Sequence, residues 1–507
     1  MNEAPVLSLI VWLPVLASAA CLLIPSGPTQ RVLGVGVSVG CLLLAAIAWS
    51  DYSLATDVRI VERVRWIPSV GLEYFLGLDG LNAPLVALNA LLGAVALAGS
   101  GVRAHSRSYT ALLLLAQGAV AGALLALDLA LYFVFWEAML LPIVLLVGIH
   151  GGDGRAHAAM KFFLYTTAGS LLMLLSIVSL PYVARYNGAP LDVLALSNSQ
   201  IAAGAQAWIF VGFAVAFAIK MPIFPLHTWL PTLYEAAPLP ALVYTTMLVK
   251  VGAYGFIRIV LPVLPDASAQ FAPLMAGLSI AGIIYAGALA ATAPNLVRAL
   301  AYSSIAHLGF VGLGVWSLTG YGVQGAVVQM VNHGVTSAAL FLLAVYLLRR
   351  TGTLEFSQLG GLAGRWPVLS WLVLFATLSS LGLPGLNNFV GEFLVLLGAY
   401  QREPIYALAL LGVLLAAVYS IRYYRLIFHG PETPVREYAA EESRDLRPVE
   451  LWTLAPLVVL IVIIGFYPRP VLSTTETIAR AIVAPAASAV ESATQTTQLL
   501  GRYPWNR

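Results

Sequence analysis

A chain of 507 residues that is 60% hydrophobic and 10% charged, with a mean hydropathy of +0.88, cannot present the charged surface that a soluble domain of this size needs. That leaves a membrane protein. Its formal net charge of +3 is too small and too scattered to attract nucleic acid or an acidic polymer.

Apolar runs of roughly 18 or more residues follow one another almost from end to end, each long enough to cross a hydrocarbon core as a helix. They lack the two-residue alternation of a β-barrel. The first, from about Val6 to Leu23, has Glu3 as its early charge and no small-residue cleavage site after it, so it is expected to stay as an anchor. Cys21 and Cys41 lie in the first two runs without the spacing of a metal or redox motif, and read as small lipid-buried side chains. Proline, glycine and charge clusters divide the rest into an all-α membrane fold of about fourteen transmembrane helices. Their starts are placed near residues 6, 31, 76, 109, 129, 157, 206, 237, 270, 299, 321, 368, 404 and 449.

An even number of crossings puts both termini on one side. With the N-terminus outside, inner loops receive Arg31, Arg103, Arg107, Arg155, Arg298, Arg349, Arg350, Arg365, Arg422, Arg425, Arg436, Arg444 and Arg447. Outer loops receive Arg59, Arg63, Arg65, Arg185, Arg258, Arg402 and Arg469, with further arginines in a long C-terminal tail. The positive-inside rule therefore favours termini outside. The Arg/Glu-rich stretch from Pro431 to Glu450 reads as a solvated loop before the last helix.

Two runs carry breakers where a simple span would not: AIKMPIFPLHTW, with Pro222 and Pro225, and SSLGLPGLNNFVGEF, with Gly382, Pro384 and Gly385. Both are expected to be broken helices. Interrupted helices at corresponding places in two halves point to two inverted repeats around a polar pathway near the midplane. The resulting division is residues 1–108 for helices 1–3, 109–265 for the first repeat (helices 4–8), 266–430 for the second (helices 9–13), and 431–507 for an inner loop, the last helix and the tail. DLALYFVFWEAML from Asp128 and NLVRALAYSSIAHLGF from Asn295 fall at a comparable offset, as do KFFLYTTAGSLL and MVNHGVTSAALF.

Ionisable groups inside membrane helices are costly and mark function by default. In chain order they are Glu137, Lys161, Lys220, Lys250, His307, His333 and Glu392. No two share a helix at metal-site spacing, so they read as stations of a relay. Lysine and glutamate change charge when their surroundings change, histidine does so readily, and arginine does not. This chain places arginine in loops and reserves its three lysines for apolar segments. Two unit charges about 7 Å apart at an effective dielectric of about 20 interact by roughly 2.4 kcal/mol. A potential of 100 mV acts on one charge by about 2.3 kcal/mol. Movement of Glu137 relative to Lys220 would therefore match the work of pumping. Lys161 either joins the series or snorkels to the inner interface. His227 and Trp229 sit nearer an interface, as a proton entry or as a solvated histidine and belt aromatic. Asp79 and Asp128 read as helix caps. No dinucleotide fingerprint, Walker A motif, HExxH or cluster-ligating cysteine set is present, so an energy source for pumping would sit on other subunits.

The strings FVFWEAMLLPIVLLVGIHGG, AIKMPIFPLHTWLP, LVKVGAYGFIR, LAYSSIAHLGFV, VNHGVTSAALF and SLGLPGLNNFVGEFLVLLG closely resemble the antiporter-like subunits of respiratory complex I, from about Gly77 to Tyr467. The carboxylate Glu392 sets it apart from the related chains L and N, which carry lysine there. The resemblance implies that Glu137 is the interface carboxylate, Lys220 the pump lysine, Lys250 the connecting lysine, His307 and His333 the central-axis histidines, and Glu392 the terminal carboxylate. Lys161 and His227 are second-tier sites. It implies no cofactor in this chain, with NADH, FMN, iron-sulfur clusters and quinone in partner subunits. The implied partners are other membrane subunits of the complex, especially chains L and N, and membrane lipid. The arginine- and alanine-rich composition suggests a bacterial plasma membrane.

Where family members read LPDAH this chain has Leu230, Pro231, Thr232, Leu233 and Tyr234, and where they often read DLKR it has Asn295, Leu296, Val297 and Arg298. The leading expectation is a proton-translocating subunit of NADH:quinone oxidoreductase. Its alternatives are a subunit of a cation/proton antiporter or membrane-bound hydrogenase, and a passive scaffold held by ion pairs.

Overall fold

The computed structural model describes residues 5–25, 27–54, 60–101, 106–184, 191–432 and 445–500. Arg59, Arg103, Arg185, Arg436, Arg444, Arg502 and Arg507, which entered the count of charge on the two sides, lie outside the described residues.

In chain order the first half comprises α1 (Val6–Leu23), α2 (Pro28–Leu54), β1 (Ile60–Ile67), β2 (Leu72–Leu78), α3 (Ala83–Gly99), α4 (Arg107–Leu125), α5 (Leu129–Ala138), α6 (Leu140–His150), α7 (Arg155–Val183), α8 (Val193–Leu196), α9 (Ala203–Lys220) and α10 (Trp229–Ala236). There follow α11 (Leu239–Thr245), α12 (Leu248–Gly255), a π-helical stretch (Phe256–Val260), α13 (Leu261–Val263), α14 (Pro265–Thr292), α15 (Leu296–Trp316), α16 (Gly320–Thr351), α17 (Pro367–Ser380), α18 (Asn387–Arg402), α19 (Leu410–Phe428), α20 (Pro448–Phe466) and α21 (Arg469–Leu500). Among the described residues twelve helical runs are long and apolar enough to cross a membrane, and α3 and α17 are two shorter apolar helices. This is a multi-pass helical membrane protein.

Burial sorts the helices into a centre and a rim. The runs Leu239–Val263 and Gly320–Thr351 are each 94% buried, against 28% for Pro28–Ser50 and 33% for Pro448–Phe466. Lys250 and His333 therefore ride on the two most enclosed runs. On the rim, Leu171, Leu175, Trp208, Trp371 and Trp452 point outward, as side chains that face hydrocarbon should.

Both breaks occur where the prolines and glycines place them, and both are built alike. After α9 the amide of Met221 donates to Phe217, Ile223 to Ala218 and Leu226 to Ile223; after α17 Leu381 donates to Thr377, Leu383 to Leu378 and Leu386 to Leu383. Lys220 and Ser380 thus hold the same position at the two breaks. A second duplication lies at helix starts. Asp128 faces Asp192 in an isolated antiparallel bridge, with Leu129 N donating to Leu191 O and Val193 N to Leu127 O. Asn295 faces Glu355 in the same way, with Leu296 N donating to Leu354 O and Phe356 N to Pro294 O. Asp128 and Asn295 also cap α5 and α15 by accepting from backbone amides, so Asn295 keeps the capping chemistry despite its departure from the family string.

Several expectations are corrected. The all-α reading misses the hairpin β1–β2, whose strands pair antiparallel from Ile60 with Leu78 to Ile67 with Leu72. The helix expected near residue 76 starts at Ala83, because β2 runs to Leu78. The C-terminal tail is largely the amphipathic helix α21, which buries Val471, Ile478, Ala479, Ile482, Val483 and Ala486 along one stripe and packs on α13, α14 and α16. Arg258 and Arg350 are not loop arginines: Arg258 pairs with Asp79 at 2.6 Å and Arg350 with Glu450 at 2.6 Å, all four buried. Glu450 is therefore no part of a solvated loop, and Asp79 does more than cap.

Breaking a buried pair by removing one partner leaves a charge without compensation and costs about 3–5 kcal/mol. Asp79→Ala should lower the thermal stability of the detergent-solubilised protein by an amount of that order, and Asp79→Leu combined with Arg258→Met should recover most of it; a melting curve of each variant checks this.

Candidate functional site

The structure brings four of the expected residues into one connected line. Lys250, the third residue of α12, donates from Nζ to the carbonyl of Thr246, which lies between α11 and α12, at 2.6 Å and lies 2.8 Å from Nδ1 of His333 on α16. The imidazoles of His333 and His307 are 5.6 Å apart between centroids, a separation that one water or a small ring rotation spans. His307, on α15, sets Nδ1 2.9 Å from Oε1 of Glu392 on α18, and Nε2 3.2 Å from the Ser380 hydroxyl at the second break. Lys250, His333, His307 and Glu392 are each 5% exposed or less, so the line runs through the protein interior.

The second break aims Glu392 back at this line. Gly382 adopts φ +80°, which L side chains avoid, and a Cβ there would stand 2.8 Å from Glu392 Oε2. Gln329 donates from Nε2 to Glu392 Oε1 at 3.0 Å, so that one oxygen receives both His307 and an amide. At the start of α18, Asn387 joins Ser379, Thr336 and Asn332 in a hydrogen-bonded cluster.

Lys220 stands apart, at the end of α9. Its ammonium is buried without a hydrogen-bond partner and rests over the rings of Trp136 and Phe162, at 5.1 and 5.5 Å. Two things favour a cation here: the carbonyl end of α9, where the helix dipole is negative, and the aromatic faces. Glu137 follows Trp136 on α5 and keeps a buried, unpartnered carboxylate oxygen; its charge acts on Lys220, yet the two form no ion pair within 4.0 Å. The α12 helix touches this break through Gly252, where a Cβ would lie 3.1 Å from Lys220 Cβ and 2.7 Å from the Phe217 carbonyl. Glycine thus brings the helix of Lys250 against the break that carries Lys220.

The second-tier residues gather on the far side of the same break. Lys161, half-buried on α7, donates to the Thr228 carbonyl at 2.8 Å and to Thr232 Oγ1 at 3.1 Å. Thr232 stands where the family string has an acid, and the lysine finds an oxygen there all the same. His227 and Trp229 are buried within the protein, 3% and 1% exposed. His227 lies between the rings of Phe224 and Tyr285, and Trp229 donates to the Ile219 carbonyl freed by the break. Tyr234, the other departure, is buried edge-on against Phe341.

Sequence reasoning passed over Ser380, Gln329 and Tyr419, whose hydroxyl is 3.4 Å from His307 Nε2. Two signals were available. Gln329 precedes His333 by four residues, which places both on one face of α16, and Ser380 answers to Lys220 at the matching break.

Residues 126–418 match the family model for the transmembrane region of NADH:quinone oxidoreductase and Mrp antiporters. NADH-quinone oxidoreductase subunit M of Rickettsia prowazekii is 35% identical over 93% of this chain and 97% of its own. The chain belongs to the subunit M family of NADH-quinone oxidoreductase. NAD(P)H-quinone oxidoreductase chain 4 of a Synechococcus species is 38% identical over 95% of this chain and 93% of its own. A chain of respiratory complex I from Thermus thermophilus superposes with a TM-score of 0.86 at 34% identity, covering 95% of this chain and 99% of that one. Within this subunit M family member, the match begins beside the Asp128 bridge and includes both breaks and all six relay candidates.

Because Gly382 leaves no room for a Cβ beside the carboxylate, Gly382→Ala should push Glu392 out of hydrogen-bonding range of His307. A structure of that variant should show Nδ1 and Oε1 beyond about 3.5 Å.

Proposed function

We propose that this chain is a proton-translocating membrane subunit of respiratory complex I, moving protons through a buried relay that is driven by quinone reduction elsewhere in the assembly. The observation that carries the reading is the line from Lys250 through His333 and His307 to Glu392, which crosses four helices in the buried interior. Every member of it exchanges protons, and no arginine interrupts it. A line built only for stability would not need ionisable groups, because apolar residues of similar volume stabilise a core as well or better.

In this reading Lys220 is the pump site of the first half and Glu137 its switch partner. Lys220 is buried at the break, and the charge of Glu137 acts on it there. Lys250 passes the proton across the middle, His333 and His307 carry it, and Glu392 releases it. The duplicated breaks and the duplicated bridges at Asp128 and Asn295 support two inverted repeats, residues 109–265 and 266–430, within fourteen crossings. The chain then acts as the translocase part of an oxidoreductase, with the redox cofactors on partner subunits. Its neighbours are other membrane subunits of complex I, chains L and N among them, in a bacterial plasma membrane with both termini outside.

Lys220→Ala in the assembled complex should abolish quinone-coupled proton pumping while leaving assembly intact. Proton uptake by proteoliposomes, measured beside NADH oxidation, checks this; full pumping by a correctly assembled variant would sink the proposal.

A further inference from the structure

A second line of polar groups leaves the relay at His307 and runs toward the arginine-rich end of the bundle. On the relay side, Tyr419 of α19 sets its hydroxyl 3.4 Å from His307 Nε2 and 2.9 Å from Ser303 Oγ, one turn down α15. Tyr423, four residues along α19 and so on the same face, donates to Thr377 Oγ1 at 3.0 Å. Between them on the helix Ser420 is fully buried, its hydroxyl beside that of Tyr423. One residue further, Tyr424 and Ser370 share a hydrogen bond of 3.0 Å that is only half-buried. The ring of Tyr424 then meets the exposed His429. The direction is fixed by backbone contacts at this end, where Arg422 donates to the Ala293 carbonyl just before α15, and Ala363, just before α17, donates to Phe428.

Phenylalanine would fill these positions as well as tyrosine if packing were all that mattered, and α19 offers hydroxyls at 419, 420, 423 and 424 in a helix whose other polar residues are Arg422 and Arg425. We propose that Tyr419, Ser420, Tyr423 and Thr377 form a hydroxyl file that delivers protons to His307 from the arginine-rich face, a separate entry for the second half of the chain. The proposal rests on the pumping function put forward above. Each hydroxyl takes a proton on a lone pair as it gives up the one it held, so no charge remains on the file. His307 accepts the arriving proton at Nε2 and releases the one on Nδ1 to Glu392 Oε1. No oxidant or metal is required.

The test uses the assembled complex in liposomes, with Tyr419→Phe, Tyr423→Phe, the double variant, Thr377→Val and His307→Ala, each checked for assembly on a native gel. A positioned proton-transfer group contributes about 10²-fold or more to its step, so each hydroxyl deletion should slow pumping at least about tenfold, with the double variant little slower than either single one. The residual pumping should be slowed further in D2O than that of the wild type, which a packing defect would not produce. Thr377→Val keeps side-chain shape and reads the same step if a tyrosine variant fails to assemble. Normal pumping by assembled Tyr423→Phe or Thr377→Val while His307→Ala stops it would overturn the file and leave the function standing. Normal pumping by His307→Ala as well would overturn the function itself.

Discussion

A helix that breaks inside a membrane frees backbone groups that lipid cannot satisfy, and this single constraint organises the rest of the chain. Each break must be enclosed by protein, and the protein must bring polar side chains to it. At the first break Trp229 donates to the Ile219 carbonyl, and Lys161 donates to Thr228. At the second, Asn332 donates to the Asn387 carbonyl at 2.6 Å. The groups that answer this need create a polar interior where Lys220, His307 and Glu392 can reside. Breaks and relay are two aspects of one solution.

Close helix approach tightens each half around its break. Gly252 lets α12 press on the break after α9, and Gly391 faces Gln329, where a Cβ would lie 2.4 Å from its Oε1. The first contact holds the helix of Lys250 against the first break, and Lys250 meets His333 on its other side. The buried ion pairs Asp79–Arg258 and Arg350–Glu450 lie away from this line. They use arginine, which keeps its proton, and fix the hairpin end and the last membrane helix in place. The chain thus separates two uses of charge, with arginine for permanent pairs and lysine and histidine for the relay.

Hydrophobic run length, the prolines and glycines of the two breaks, and the rarity of charge inside apolar runs were legible residue by residue, because each reports a local rule about helices in hydrocarbon. The hairpin from Ile60 to Leu78 was not. Its run is short and mixes Glu62, Arg63 and Arg65 with apolar residues, and its pairing is settled by contact with α1 and α5. The helix α21 escaped for a related reason: its apolar stripe is too narrow to signal a span and becomes informative only when α14 and α16 offer a surface for it. Arg258 and Arg350 were misassigned to loops because loop and interior arginine look alike until the partner carboxylate, far away in sequence, is known.

The sequence by itself determined that this is a helical membrane protein with two broken helices, and which residues are able to carry protons, since those properties follow from composition and local spacing. Only the tertiary structure decided that Lys250, His333, His307 and Glu392 lie side by side in that order while Lys220 stands over Trp136 and Phe162 with no hydrogen bond among the described residues, that Lys161 donates to Thr228, and that hydroxyls of α19 lead away from His307. Contacts of that kind join residues 83 to 112 positions apart. They are set by which helix faces meet, and hydrophobic periodicity carries no record of the partner on the other side.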